Sequence, residues 1–215
     1  MIGDYIMQDK LHVLPLFSFV CHPCKFDLSK EQEKIIIDVA NNIEYNDKHK
    51  KNHIRTKTIH LFQDVPELSF LGNMILDQFY KFKDTVLRYE NTDFRLTTSW
   101  ITKTRPGEGS FYHNHNNCMY SGVFYFNNDE EHTSISFCNF AFQTSYTIEP
   151  TEWNDFNSIS WTYRPKNNSC IYFPSHLPHM VEKNTSDKIR QSIAFNIMPI
   201  GNIGYGDSSH NYGHK

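Results

Sequence analysis

The hydrophobic pattern changes rhythm near residue 94. Upstream the apolar positions are helical or irregular. Ser29 followed by Gln32 forms a capping-box pattern, and Ile35, Ile36, Val39 and Ala40 continue it as a helix ending near Asn41 and Asn42. Pro66 stands at the favoured first position of a second helix, whose apolar residues Leu68, Leu71, Ile75 and Phe79 recur every three or four residues. That pattern runs on to about Leu87. A single apolar stripe on a long helix predicts packing on something flat, such as the outer face of a sheet. Residues 12–20 read as a short strand that Pro15 limits to an edge, and residues 45–58 as a polar, solvated loop.

From Phe94 onward, short runs rich in Phe, Tyr, Ile and Val follow one another at 94–103, 119–127, 133–138, 145–149, 158–163, 169–174, 179–182 and 189–198. Turn clusters separate them, among them Arg105-Pro106-Gly107-Glu108-Gly109 and Arg164-Pro165-Lys166-Asn167-Asn168. Strands at this spacing predict a mainly β, α+β chain: a jelly-roll or cupin-like barrel with N-terminal helices on the outer face of one sheet. The expected organisation is a single domain, with a supporting N-terminal part at 1–93, a β core at 94–200 and an extended tail at 201–215.

Composition narrows the class of function. Of 215 residues, 39% are hydrophobic and 21% charged, too apolar and too evenly charged for a disordered chain. The net charge of -3 argues against a dense positive face for phosphate backbones, so no strong nucleic-acid signature is present. The basic run from Lys48 to Arg55 is short and reads as part of the solvated loop. No apolar stretch is long enough for a membrane helix. The start of the chain carries Asp4, Asp9 and Lys10 and lacks a signal-peptide pattern. Five cysteines, an odd number scattered through aromatic strands, suit a reducing compartment. A cytoplasmic protein is expected, or one of the host cytoplasm if the chain is viral.

Twelve histidines direct attention to metal chemistry. His113-Asn114-His115 follows a glycine-rich turn, and in an extended segment residues i and i+2 share a face, so both imidazoles can reach one cation. About 0.7 such pairs are expected by chance at this histidine content, so the pair gains meaning only from its surroundings. His179 lies 64 residues beyond His115, where a strand begins after Pro178, while His176 falls inside the preceding turn. Eleven residues later, Arg190 and Ser192 share one face of a strand whose other face carries Ile193 and Phe195. A guanidinium on such a strand calls for an anionic partner, either a structural acid or a carboxylate ligand. In this order the residues suit a metal site and a carboxylate clamp in one barrel mouth.

Several blocks together resemble the Fe(II)/2-oxoglutarate-dependent oxygenases, in particular a branch of that superfamily found in bacteria and marine phages. They are Ser99-Trp100, the histidine cluster through Asn117, Ser121-Gly122-Val123-Phe124-Tyr125, the block from Phe173 to Val181, and Arg190-x-Ser192-Ile193-x-Phe195-Asn196. The resemblance covers about residues 95–198 and implies a double-stranded β-helix. It further implies Fe(II) as metal, with 2-oxoglutarate and O2 as co-substrates and release of succinate and CO2 as a substrate is hydroxylated. By the same resemblance His113 and His179 are iron ligands. Arg190 holds the far carboxylate of 2-oxoglutarate, and Ser192 and Tyr125 assist. The family at large has a carboxylate where this chain has His115. Two ligand sets follow: His113 with His115, which we prefer, or His115 with Asn117. Trp100, Tyr112, Tyr120 and Tyr172 are candidates for the substrate pocket or, alternatively, for core packing. The substrate itself is open between a small molecule, a protein side chain and a nucleobase.

Two other readings compete. A cupin-like metal enzyme that does not use 2-oxoglutarate fits the histidines but leaves Arg190 and Ser192 unexplained. A non-catalytic jelly-roll module, binding or structural, needs no metal. Cys21-His22-Pro23-Cys24 has the spacing of a disulfide oxidoreductase motif, yet the downstream β segments do not continue the βαβ pattern that such a motif requires.

Overall fold

The structure is a computed structural model, and it describes residues 6–8, 11–13, 18–46, 54–89, 91–128, 134–140 and 148–213. The N-terminal part begins with a two-stranded ribbon, β1 (Ile6–Gln8) and β2 (Leu11–Val13), followed by β3 (His22–Lys25). The expected strand at 12–20 is therefore shorter: Ser18–Val20 is irregular, residues 14–17 lie outside the described residues, and the next strand forms only at His22.

Helix α1 (Lys30–Asn42) starts at Ser29 with both arms of the capping box formed. The Gln32 backbone N–H donates to Ser29 Oγ (3.2 Å), and the Ser29 N–H donates to Gln32 Oε1 (2.9 Å). Residues 45–58 are not all loop. They contribute β4 (Tyr45–Asn46) and β5 (Ile54–Thr56), which extend the main sheet, while 47–53 lie outside the described residues. After α2 (Leu61–Asp64), a 3-10 turn at Pro66–Leu68 leads into α3 (Ser69–Phe82) and a π turn at Lys83–Leu87. Leu68, Leu71, Ile75 and Phe79 are fully buried, as one apolar stripe requires.

The β core comprises β6 (Asp93–Thr104), β7 (Tyr120–Tyr125), β8 (Ile135–Cys138), β9 (Ser160–Tyr163), β10 (Ser169–Pro174), β11 (His179–Val181) and β12 (Arg190–Ile200). The main sheet has the order β3-β10-β7-β12-β6-β5-β4, and the smaller one β11-β8-β9. The paired neighbours in both sheets are antiparallel. The fold is the expected double-stranded β-helix. Of the 145–149 run, Ile148 and Glu149 are not in a strand and the rest lies outside the described residues. The tail expected at 201–215 folds back as a small hairpin of β13 (Asn202–Ile203) and β14 (His210–Asn211).

The period-2 alternation of the main sheet sorts its side chains onto two faces. Ile101, Tyr120, Phe124, Tyr172, Ile193, Phe195 and Ile197 face the helices and form one core with Ile36, Ile75 and Phe79. Tyr125, Ile171 and Phe173 face the smaller sheet and pack with Ile135, Phe137 and Leu177. Gly122 is where the first core leaves no room, because a Cβ there would lie 2.3 Å from the Phe195 ring. The helices thus brace one side of the main sheet and leave the other side to the site.

Candidate metal centre

After β6 the chain turns at Arg105–Glu108, where the Arg105 N–H donates to the Glu108 carboxylate (2.9 Å), and then runs back along β11. Gly107 N–H donates to Asn184 O (2.8 Å), Ser110 N–H to Val181 O (3.0 Å), and His113 and His179 exchange both backbone bonds (3.0 and 2.9 Å). His115 N–H donates to Ser175 O (2.9 Å). Residues 107–115 therefore form a strap along the free edge of β11. Gly109 permits the close approach, since a Cβ there would stand 2.8 Å from Val181 O.

This pairing brings His113, His115 and His179 together. One ring nitrogen from each lies within 4.8 Å of the others, and ring centroids are 4.5 Å apart for His113 and His179, 5.0 Å for His115 and His179, and 5.5 Å for His113 and His115. His113 Nδ1 faces Phe111 O (2.9 Å), and His179 Nδ1 faces Leu177 O (2.9 Å). A carbonyl only accepts, so each Nδ1 carries the proton and each Nε2 keeps its lone pair. His115 Nδ1 lies 2.7 Å from Asn196 Oδ1 and 3.0 Å from Ser121 Oγ.

Burial keeps two of the rings neutral. It depresses the His179 pKa to about 3, and the neighbouring His113 and His115 push in the same direction. His115 is lowered chiefly by burial, against the hydrogen bond to Asn196. Neutral imidazoles with convergent lone pairs are what a first-row divalent ion accepts. Asn117, the alternative partner of His115, stands exposed in a left-handed turn (φ 59°).

Arg190, Ser192, Ala194 and Asn196 lie on the inner face of β12. Ser192 pairs with Tyr125 on one side and Thr102 on the other, and Arg190 pairs with Thr104. Arg190 is 4% exposed, yet it makes no salt bridge among the described residues, and its Nε has no hydrogen-bond partner there. Its guanidinium lies 5.3 Å from the centroid of the Tyr125 ring. The Tyr125 hydroxyl is likewise buried without a hydrogen bond, and burial raises its pKa. Burial also pulls the Arg190 pKa down, though a guanidinium stays charged at neutral pH. A buried charge beside an orphaned hydroxyl defines a place for an anion with oxygen acceptors.

Of the aromatic candidates, Trp100 alone has a ring contact with the three clustered histidines among the described residues. The Trp100 ring is 5.8 Å from that of His115, and the half-exposed Tyr112 packs edge-on against Phe140 (5.4 Å). Tyr120 and Tyr172 do not line a pocket; they belong to the helix-facing core. Tyr120 packs on Phe79 and Phe82 (5.3 and 6.0 Å), and the Tyr172 hydroxyl donates to Ile75 O in α3 (2.8 Å). The reason is strand parity, which puts both on the face opposite Tyr125. His176 stacks near Phe19 (5.7 Å) and is not in the histidine cluster. Cys21 packs with the inner core and Cys24 with the outer one, so they do not form a dithiol pair. The residues that reading the sequence missed are Ser121, Ser175 and Asn196. Asn196 was accessible in principle, being at the i+6 position on the Arg190 face.

Comparison with known proteins points to one class of enzyme. A family model described as "Putative 2OG-Fe(II) oxygenase" matches residues 98–196. Among solved structures, the non-heme α-ketoglutarate-dependent carbocyclase SnoK from nogalamycin biosynthesis superposes with a TM-score of 0.58 at 14% identity, covering 83% of this chain and 79% of its own. HygX from Streptomyces hygroscopicus, solved with nickel, 2-oxoglutarate and hygromycin B, gives 0.58 at 13% identity over 84% and 82%. The viral collagen prolyl hydroxylase from Paramecium Bursaria Chlorella virus-1, solved with 2-oxoglutarate, gives 0.52 at 11% identity over 82% and 94%. No curated protein sequence matches the chain. Residues 98–196 thus match the 2OG-Fe(II) oxygenases, and the chain carries the fold of the solved oxygenases of that class. No helix among the described residues is long and apolar enough to cross a membrane.

Proposed function

We propose that this chain is an oxygenase that holds Fe(II) through His113, His115 and His179, seats the far carboxylate of 2-oxoglutarate on Arg190, and hydroxylates a small-molecule substrate. The observation that carries the clamp is the buried guanidinium that makes no salt bridge among the described residues and whose Nε has no hydrogen-bond partner there, next to the Tyr125 hydroxyl, which is also without one. A fully buried charge left unpaired costs several kcal/mol, so its retention fits a residue whose partner arrives with the ligand. Three neutral ligands leave the metal's full charge to attract a dianion. Small-molecule chemistry is supported by two of the three solved structures, a carbocyclase of nogalamycin biosynthesis and a protein with bound hygromycin B; the third, a collagen prolyl hydroxylase, is named for a protein substrate.

When bound, Fe(II) with 2-oxoglutarate supplies O2 activation coupled to formation of succinate and CO2. The chain supplies the rest. Phe111 O and Leu177 O fix the tautomers of His113 and His179, so the rings present Nε2. Tyr125 and Ser192 add hydroxyls beside Arg190, and the Phe137, Phe173 and Leu177 cluster keeps water from the space between the sheets. Trp100, beside His115, offers aromatic surface to the substrate.

Anaerobic titration of the protein with Fe(II) and then 2-oxoglutarate tests this reading through the visible metal-to-ligand charge-transfer band. Wild type should show the band. Arg190→Met should lose it at 2-oxoglutarate concentrations that saturate wild type, while still binding metal and melting no lower than wild type in the ligand-free state. A band unaffected by Arg190→Met refutes the clamp, and absence of metal uptake by the wild type refutes the centre.

A further inference from the structure

Among the three candidate ligands, His115 is the one whose Nδ1 does not rest on a backbone carbonyl. Its partners come from the opposite sheet: Asn196 on β12 and Ser121 on β7, which are themselves register partners. We propose that Asn196 is a positioning residue that makes His115 a metal ligand, by fixing its ring and its Nδ1–H tautomer. This deepens the reading of a three-histidine centre and rests on it.

The hydrogen-bond count supports the assignment. Asn196 Nδ2 donates to Thr98 Oγ1 (2.8 Å), across the β12–β6 pair, which directs Oδ1 toward the histidine. Oδ1 then accepts from Ser121 Oγ (2.8 Å) and from His115 Nδ1 (2.7 Å). Ser121 Oγ, having donated its proton, still accepts from Ser175 Oγ (3.0 Å) and shares the His115 proton (3.0 Å). Every donor in this set finds an acceptor, and Ser121 and Ser175 are fully buried. The arrangement leaves His115 Nε2 without a proton and pointing its lone pair outward from the network. Turning the Asn196 amide over would present Nδ2 to His115, require Nδ1 as acceptor and put the proton on Nε2, which excludes that nitrogen as a ligand.

The charge of the partner matters as well. A carboxylate at position 196 would accept the same proton, but the amide holds the tautomer without adding negative charge behind the ring. With three imidazoles as the candidate ligands, a neutral amide behind His115 keeps the centre dicationic.

Two measurements test this on the full chain. The first is the long-range nitrogen–proton NMR pattern of the His115 ring in metal-free protein. Nδ1–H is expected in wild type and in Asn196→Asp, and a mixed or Nε2–H pattern in Asn196→Leu. The second is a cycle of Mn(II) affinities over wild type, Asn196→Leu, His115→Ala and the double variant. Asn196→Leu should weaken Mn(II) binding 10- to 100-fold in the wild-type background and add nothing once His115 is alanine. Asn196→Asp should bind within a few-fold of wild type. An Nε2–H tautomer in wild type overturns the proposal. So does an equal loss from Asn196→Leu in both backgrounds, which would mark a general structural role. If the tautomer follows Asn196 while no form binds Mn(II), Asn196's hold on the ring is upheld and the metal centre itself is what fails.

Discussion

The three histidines differ in how much the fold constrains them, and protons expose the difference. His179 is 3% exposed, and its folded pKa is about 3 against an ordinary value of 6.5. Above pH 6.5 the ring is neutral whether the chain is folded or not, so it adds no pH dependence. As the pH falls from about 6.5 toward 3, the unfolded chain takes up a proton that the folded one refuses, and the folded state is destabilised progressively. His115 is depressed as well and acts in the same direction. Metal-free protein should therefore lose urea resistance between pH 6.5 and pH 4, and His179→Gln should lose distinctly less over that window. The comparison of the two midpoints against pH isolates this ring from carboxylates common to both. Equal slopes would mean that His179 is solvated in the metal-free protein.

At the scale of elements, the main sheet separates a packing face from a chemical face. Gly122 shows how tightly the packing face is filled. Gly122→Ala places a methyl 2.3 Å from Phe195 Cζ and 2.7 Å from Ile171 O, so the sheet or the ring has to shift. Overpacking of this kind costs about 1–3 kcal/mol, which should appear as a lower urea midpoint with the histidine cluster left in place. Such elements were legible in the sequence where the chain states its own periodicity. The α1 capping box, the stripe of α3 and seven of the eight aromatic runs as strands with shifted ends needed only local rules. The strands at Tyr45–Asn46 and Ile54–Thr56 did not show, because two or three residues carry no period and their pairing comes from β6. Tyr120 and Tyr172 were near the histidines in sequence but face the helices, since only register decides which face of a strand is inside. The histidines and Arg190 were visible as unusual residues in strand context. Ser121 and Ser175 were not, because a serine acquires its role only when three strands bring it under His115.

On the scale of the whole molecule, the candidate ligands and the proposed clamp belong to different sheets. His113 and His115 lie on the strap, and His179 on β11, all at the edge of the smaller sheet. Arg190, Ser192 and Tyr125 lie on the main sheet, which the helices brace from behind. Between them is the apolar layer of Phe137, Ile171, Phe173 and Leu177. A metal ion alone should tighten the strap against β11, whereas a dicarboxylate spanning the metal and Arg190 ties one sheet to the other. Hydrogen exchange should resolve the two steps. Mn(II), which binds without oxygen chemistry under argon, should slow exchange at residues 110–115 and 175–181. Adding 2-oxoglutarate should extend the protection to the amides around Arg190 and to the inner strands of the main sheet. The second step should vanish in Arg190→Met while the first persists. Protection that reaches β12 with Mn(II) alone, to the same extent with and without 2-oxoglutarate, would mean that the sheets are already locked and that the co-substrate does not bridge them. The order of the two steps follows from where the chain puts its groups: the imidazole nitrogens at the edge of the smaller sheet, and the permanent cation on the main sheet that the helices brace.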